Sequence, residues 1–185
     1  VEAMKCATKA IEVADQTREP RGQSQAYASR GFIHRKQGRL DDALRDFNKA
    51  FGIAKEAKLL LIAARQADNE AEIYFVQGDL IKAVQQSEFA YKIAFDRNVV
   101  REIGFHGYTH GWNLIALKRY LEAIEVLSNV VAQVGGQATM QALVTRGIAC
   151  HLDGKCDLAL QDVNKAILQA KEAVSKSAQY KAWQV

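Results

Sequence analysis

Two histidines, His106 and His110, stand four positions apart in a segment with the apolar spacing of a helix. On a helix both imidazoles would share one face, as do the two histidines of helical metal-binding motifs. The three residues between them include no glutamate that could act as a base. Cys150, His151 and Cys156 also stand close together, but without the paired spacing of a zinc finger. We therefore interpret these residues as packed or surface side chains and predict no metal, no cofactor and no catalytic residue.

Three glycines, Gly104, Gly107 and Gly111, fall in the same segment. A phosphate-binding glycine loop follows a β-strand, and no segment of this sequence has the alternation typical of a strand. The glycines instead fit a helix that they allow to pack closely against a neighbour, or that they loosen. No nucleophile stands with a base in a pattern typical of an enzyme, so the sequence favours a binding protein.

Composition narrows the class of protein further. Of the 185 residues 49% are hydrophobic and 25% charged, and frequent alanine with a single proline favours helix. The net charge of +4 comes from interspersed acids and bases, so nucleic acid is not an expected partner. No run approaches ~18 consecutive apolar residues and no secretory signal begins the chain, so we expect no membrane insertion. Three cysteines without paired spacing fit a reduced, cytoplasmic protein.

Small residues recur in the sequence at nearly constant intervals. Alanines at positions 3, 43, 83, 123 and 159 each open the same small and apolar pattern over one face of a helix. The intervals of 40, 40, 40 and 36 residues define an internal repeat. Segments 42–51 and 158–167 are closely alike, sharing Ala, Leu, Asp, Asn, Lys and Ala at equivalent positions.

Each repeat also has an upstream half that ends in a turn. One small position is shared by Gly31, Ala71, Gly111 and Gly147, and the turn follows seven residues later. The turn residue is a glycine in three repeats, where glycine would end a helix, and Lys118 in the remaining one. The unit is therefore predicted to be helix, short turn, helix. Near the start of the second helices stand Asp41, Asp79 and Asp157, each of which can cap its helix or favour the helix dipole.

This unit resembles the tetratricopeptide repeat (TPR). The first repeat carries the family's pattern best, at the residues Tyr27, Gly31, Gly38, Ala43, Phe47 and Ala50. The second repeat matches at Tyr74, Gly78, Ala83 and Ala90, and the fourth at Gly147, Gly154, Ala159 and Ala166. The third is weaker, because Lys118 replaces the turn glycine and Val130 the last alanine.

Two features depart from the family pattern. The period is mostly 40 residues rather than ~34, and the family's proline at the end of the second helix is absent. We expect the extra residues to extend the helices or the links between repeats.

The resemblance implies an all-α fold, a right-handed superhelix or solenoid of stacked antiparallel helix pairs. We expect a single TPR-type domain over residues 1–185. Its parts are a half-repeat at 1–16, repeats at 24–57, 60–96, 103–135 and 138–173, and a capping helix or tail at 174–185. The half-repeat lacks a first helix, so this open end suggests a larger parent protein or a capping partner. In the tail, Tyr180 and Trp183 are candidate cap contacts.

In TPR proteins the first helices line a concave groove. The resemblance therefore implies a protein-interaction scaffold or adaptor that binds a peptide or helical segment of a partner. The groove positions follow one face of each first helix. The part that carries most of the charge is predicted to comprise Phe32, Arg35, Lys36, Arg65, Asp68, Asn69 and Glu72. The mainly apolar part is predicted to comprise Phe105, Tyr108, Thr109, Trp112 and His151.

The composition of this groove suggests the chemistry of a ligand. We expect an apolar ligand segment beside Tyr108 and Trp112, and acidic ligand residues toward Arg35 and Lys36. Asn69 could hold the ligand backbone through paired amide hydrogen bonds. The alternatives are that the aromatic residues pack inside the longer repeat and that the charges form an ordinary solvated face.

Two other binding modes are the chaperone binding of some family members and self-association. Its chaperone-binding members hold a C-terminal carboxylate with asparagines and basic side chains. The corresponding residues here are Ala28, Phe32, Asn69, Phe105 and Thr109, of which only Asn69 fits. A chaperone tail is therefore not an expected ligand. The alternative function is self-association, in which the ends of the solenoid or its concave face form a homo-oligomer.

Overall fold

Every regular element in the described part of the chain is an α-helix. The computed structural model describes the backbone of residues 2–182 and the side chains of residues 2–174. The helices are α1 (Glu2–Thr17), α2 (Pro20–Lys36), α3 (Leu40–Glu56), α4 (Leu60–Gln77), α5 (Leu80–Asp96), α6 (Val100–Ala116), α7 (Tyr120–Gln133), α8 (Gly136–Leu152) and α9 (Cys156–Ala182). None of these described helices is both long and apolar enough to cross a membrane. The side chains of Tyr180 and Trp183 lie outside the described residues.

Left-handed backbone residues separate the helices about every 20 positions. Their φ angles lie between +51° and +82°, at Arg18, Gly38, Lys58, Gly78, Asn98, Lys118, Gly136 and Gly154. Most helices have 17 or 18 residues and the links between them are short, so two helices give the period of 40. The extra residues therefore extend the helices. The one interval of 36 reflects α7, which has only 14 residues.

The third repeat makes its turn without glycine. Lys118 has φ +62°, a left-handed conformation that costs a residue with a Cβ more than it costs glycine. The turn predicted at this position is present, and the hydrogen bond from Lys118 N to Ile115 O closes it at 2.9 Å.

Acidic side chains cap some helix starts but not all of the predicted ones. Asp79 accepts a hydrogen bond from the backbone three residues later at 3.2 Å, as its position predicted. Glu19 caps α2 in the same way. Asp41 instead lies inside the first turn of α3 and accepts a hydrogen bond from Gln77 Nε2 of α4 at 2.9 Å. In the first turn its charge favours the helix dipole, which is the other role that its position predicted, and its bond to Gln77 joins two helices.

The first compact unit, Val1–Arg97, contains α1 to α5. Each helix packs against the next, and the short links make these neighbours antiparallel. Alanine dominates the core, because it lets helices approach closely. One buried cluster brings together Ala28, Ala43, Phe47, Ala50 and Ile73.

The second compact unit, Asn98–Val185, contains α6 to α9. Within it α6 packs against α7 and α8, α7 against α8, and α8 against α9. Larger aliphatic residues contribute more to this core. Those that are almost completely buried include Ile103, Leu114, Leu127, Val130 and Leu143.

The small position of the first helix marks where the two helices of a repeat touch. A Cβ added at Gly31 would lie 2.8 Å from Phe47 Cε1 of α3, and one at Gly111 would lie 2.8 Å from Leu127 Cγ of α7. Both distances are shorter than real Cβ atoms show, so a side chain there would force either the facing side chain or the helices to shift. Glycine at these positions therefore sets the distance between paired helices.

A partly buried Arg–Asp pair also joins the two helices of the first and of the fourth repeat. Arg30 of α2 donates two hydrogen bonds to Asp46 of α3, at 2.8 and 2.7 Å. Arg146 of α8 donates two to Asp162 of α9, at 2.7 and 2.6 Å. Because both bonds of such a pair are charge-assisted and parallel, they hold the helices in one orientation.

We expect Gly31→Ala and Gly52→Ala to change stability in opposite directions. Alanine in a helix interior is favoured over glycine by roughly 1 kcal/mol. A Cβ at Gly52 of α3 would meet nothing within 4 Å, so that variant should gain up to about 1 kcal/mol. At Gly31 the fully buried Phe47 blocks the new methyl, and overpacking should produce a net loss of about 1–3 kcal/mol. Urea unfolding measures both changes, and a stabilised Gly31→Ala protein would contradict the close approach.

Candidate functional site

The predicted groove residues of the first unit form a chain of contacts between α2 and α4. The Arg35 guanidinium lies 5.3 Å from the centre of the Phe32 ring, and it forms an ion pair with Glu72 of α4. Phe32 in turn meets Phe47 edge to face, with ring centres 5.2 Å apart. The structure thus brings Phe32, Arg35 and Glu72 together, while Lys36 is exposed beside them. A ligand carboxylate would compete with Glu72 for Arg35.

The remaining predicted residues of α4 differ in their access to solvent. Arg65 is exposed, Asn69 is half-buried, and Asp68 is only 5% exposed. The Asn69 amide donates a hydrogen bond to Gln66 Oε1 at 3.0 Å. Its carboxamide is therefore already oriented by its own helix, and little of Asp68 can meet a ligand.

Aromatic side chains form a row along one face of α6 in the second unit. Phe105 is 59% exposed, and Tyr108 and Trp112 are half-buried. The rings of Tyr108 and Trp112 meet edge to face with centres 6.4 Å apart. Between them the Thr109 hydroxyl donates to Phe105 O at 3.3 Å, which turns its polar atom toward the helix. We call Phe105, Tyr108, Thr109 and Trp112 the aromatic row.

His151 makes a separate contact, where α8 meets α9. It is exposed near the end of α8, and its Nδ1 is 3.9 Å from Cys156 Sγ at the start of α9. His151 is one of the residues that line a separate groove between α8 and α9.

The two histidines of α6 are buried. His106 is 1% exposed and its Nε2 lies 3.3 Å from Glu102 Oε2, one turn earlier on the helix. His110 is 5% exposed. In residues 2–174, no three His, Cys, Asp or Glu side chains are grouped so that they could hold a metal ion.

Sequence reasoning missed a buried carboxyl group on α4. Glu70 is 1% exposed, and its Oε1 has no hydrogen-bond partner among the described residues. Burial raises the pKa of Glu70 from its ordinary value of 4.5 to about 8. The repeat alignment contains a signal for this site, because Glu70 stands where the first and fourth repeats have Arg30 and Arg146. Gln86 stands where those repeats have the aspartate partner.

The fold matches solved structures at low sequence identity. BtubC (BKLC) from P. vanneervenii superposes with a TM-score of 0.83 and 16% identity, over 93% of this chain and 73% of that chain. MamA gives 0.72 and 16%, over 93% and 89% of the two chains. A protein from Podosopora anserina, described as a kinesin light chain with nearly identical TPR-like repeats, gives 0.75 and 15%, over 93% and 87%. No family model and no curated protein matches the chain.

At these identities the likeness shows the fold alone. The chain has an all-α helical-repeat fold similar to that of TPR-like repeat proteins, which confirms the resemblance inferred from the repeat pattern.

Glu70→Gln should make the protein less sensitive to pH. Between about pH 4.5 and pH 8 the folded state keeps the Glu70 proton and the unfolded state does not. The stability of the wild type should therefore fall by up to about 1.4 kcal/mol per pH unit as pH rises through this window. Glutamine carries no such proton, so the stability of the variant relative to wild type should increase steadily with pH. Urea unfolding at pH 5, 6.5 and 8 measures the slope.

The control for this experiment is Glu12→Gln, which removes an exposed carboxyl group from α1. A constant difference between Glu70→Gln and wild type at all three pH values would show that Glu70 does not retain its proton in the folded protein.

Proposed function

We propose that this chain is a protein-interaction scaffold that binds a peptide or helical segment of a partner along its first helices. Binding is centred on the aromatic row of α6, and no cofactor takes part. The TPR-like fold supports a general role in protein interaction. Within that role, we assign the binding surface to the aromatic row.

The observation that carries the proposal is that the aromatic row reaches the surface, with Phe105 exposed and Tyr108 and Trp112 half-buried. Large aromatic side chains are normally buried, and an exposed group of them marks a binding surface. Phe105 is 59% exposed on the same face as Tyr108 and Trp112, whose tyrosine hydroxyl and indole nitrogen can also donate hydrogen bonds. Such residues dominate binding energy because they bury large areas at a modest entropic cost.

The charged surface of the first unit would select among ligands. Lys36 is exposed and Arg35 is only partly covered, so acidic ligand residues gain from both. Because Glu72 already neutralises Arg35, the gain is that of exchanging one carboxylate for another, and it is modest at an exposed site. We therefore assign affinity mainly to the aromatic row.

A cytoplasmic location forms part of the same proposal. The three cysteines Cys6, Cys150 and Cys156 form no disulfide among the described residues, as is usual in a reducing compartment. The alternative function, self-association, would place the aromatic row against a second copy of the chain. Light scattering of the purified protein distinguishes the two, because a monomer at all concentrations excludes self-association.

We expect the double variant Tyr108→Ala with Trp112→Ala to lose its partner. A pull-down from lysate compares it with wild type and with Leu121→Ala, which removes an apolar side chain of α7 that is 62% exposed. Truncating one hot-spot aromatic costs about 2 kcal/mol or more, so partner affinity should fall at least about 30-fold. Wild type and the Leu121→Ala control should recover the same partner, which quantitative mass spectrometry identifies.

A partner that all three proteins recover equally would move the binding site away from α6. Circular dichroism of each variant at the assay temperature should show the helical signal of wild type, since the altered side chains are not part of the fully buried core.

A further inference from the structure

An apolar stripe runs along α9 in the second unit. Leu160, Val163 and Ile167 are 62%, 38% and 47% exposed, and Cys156 is exposed one turn before them. Their spacing of four, three and four residues puts all of them on one face of the helix. Among the described residues α9 packs only against α8, so nothing there covers this α9 stripe.

The first unit contains the equivalent groove, between α2 and α3, and α4 lies on it. Adding 116 to a residue number carries the first repeat onto the fourth, so Leu44 corresponds to Leu160 and Phe47 to Val163. Phe47 is fully buried while Val163 is 38% exposed. The difference arises because α3 packs against α4, whereas α9 has no such neighbour among the described residues.

The contacts of α4 define what kind of helix fits this groove. Ile73 of α4 belongs to one buried cluster with Phe47, and Leu40 and Leu44 pack against that cluster. Just before it, Glu72 pairs with Arg35 at the end of α2. Four residues after Ile73, Gln77 Nε2 donates to Asp41 Oδ1 at 2.9 Å. One aliphatic and two polar contacts are thus among those that seat α4.

The fourth repeat keeps the counterpart of each contact. Leu160 and Val163 supply the apolar floor, beside Gly147 and Ile148 of α8 in a groove of about 410 Å³. His151 stands at the position of Arg35 and can pair with an acid when protonated. Asp157 keeps the acceptor that Asp41 provides.

We propose that the α8–α9 groove binds an amphipathic α-helix of a partner protein, which lies on it as α4 lies on α2 and α3. The helix carries an acidic residue followed by an aliphatic one, and a hydrogen-bond donor four positions after the aliphatic. The aliphatic side chain covers Leu160 and Val163, the acid reaches His151, and the donor reaches Asp157. This surface is separate from the aromatic row, and it takes a helix by repeat-like packing.

The sequence of α4 itself provides the probe. A synthetic peptide of residues 59–78 is titrated into the ¹⁵N-labelled full chain and followed by amide chemical shifts. We expect saturable shifts confined to α8 and α9. An Ile73→Asp peptide should bind at least tenfold more weakly, because its charge would face the apolar floor.

Matched variants of the full chain test the same contact from the other side. Leu160→Asp should weaken binding of the wild-type peptide at least tenfold. Leu168→Asp alters a leucine of similar exposure, 58% against 62%, about 100° around the helix from Ile167, and should bind within twofold of wild type. Both positions are exposed, so their melting temperatures should match wild type. Trp112→Ala should also bind normally, because the aromatic row takes no part.

Three results would overturn the proposal. The first is no binding at millimolar peptide, and the second is chemical shifts in α2 and α3 instead of α8 and α9. The third is a dimer in light scattering that Leu160→Asp dissociates, which would assign the α9 stripe to a second copy of the chain.

Discussion

Close contact between paired helices is the constraint on which the rest of the structure depends. Where Gly31 meets Phe47 and Gly111 meets Leu127, even one added carbon would lie 2.8 Å from its neighbour. Because the helices approach this closely at one face, their remaining side chains are forced either into the next helix or out to solvent. The aromatic row and the exposed side of the α9 stripe are both products of that division, since each keeps surface that its helix pair leaves uncovered.

The repeat architecture could be predicted because it depends on local patterns. Small residues every 40 positions mark the helix contacts, and the turn positions adopt the left-handed conformation that ends each helix. Even Lys118 does so, since the repeat around it requires a turn there. The length of each helix was less certain from sequence, because extra residues fit equally well in a helix or in a link until the bounds are known.

The burial and pairing of individual polar side chains could not be predicted in the same way. Helical spacing places Arg35 and Glu72 on exposed faces, but their pairing depends on how two helices lie side by side. The place of Asp41 in the first turn of α3 was predictable, but its hydrogen bond to Gln77 of α4 was not. Glu70 was missed because the sequence pattern gives the position of a residue and not its burial. Burial and pairing are tertiary properties, and a repeat alignment reveals them only where equivalent residues differ.

Differences between equivalent positions of the repeats carry functional information in this chain. The first and fourth repeats both hold their helices with an Arg–Asp pair, so their grooves are built alike. In one repeat the groove is filled by the following helix, and in the other it faces solvent with leucine, valine and isoleucine exposed. Since apolar surface gains free energy when removed from water, a groove shaped by packing in one repeat becomes a surface for recognition in another. The contacts that one repeat makes with the following helix therefore describe the geometry that a partner helix must reproduce on another repeat.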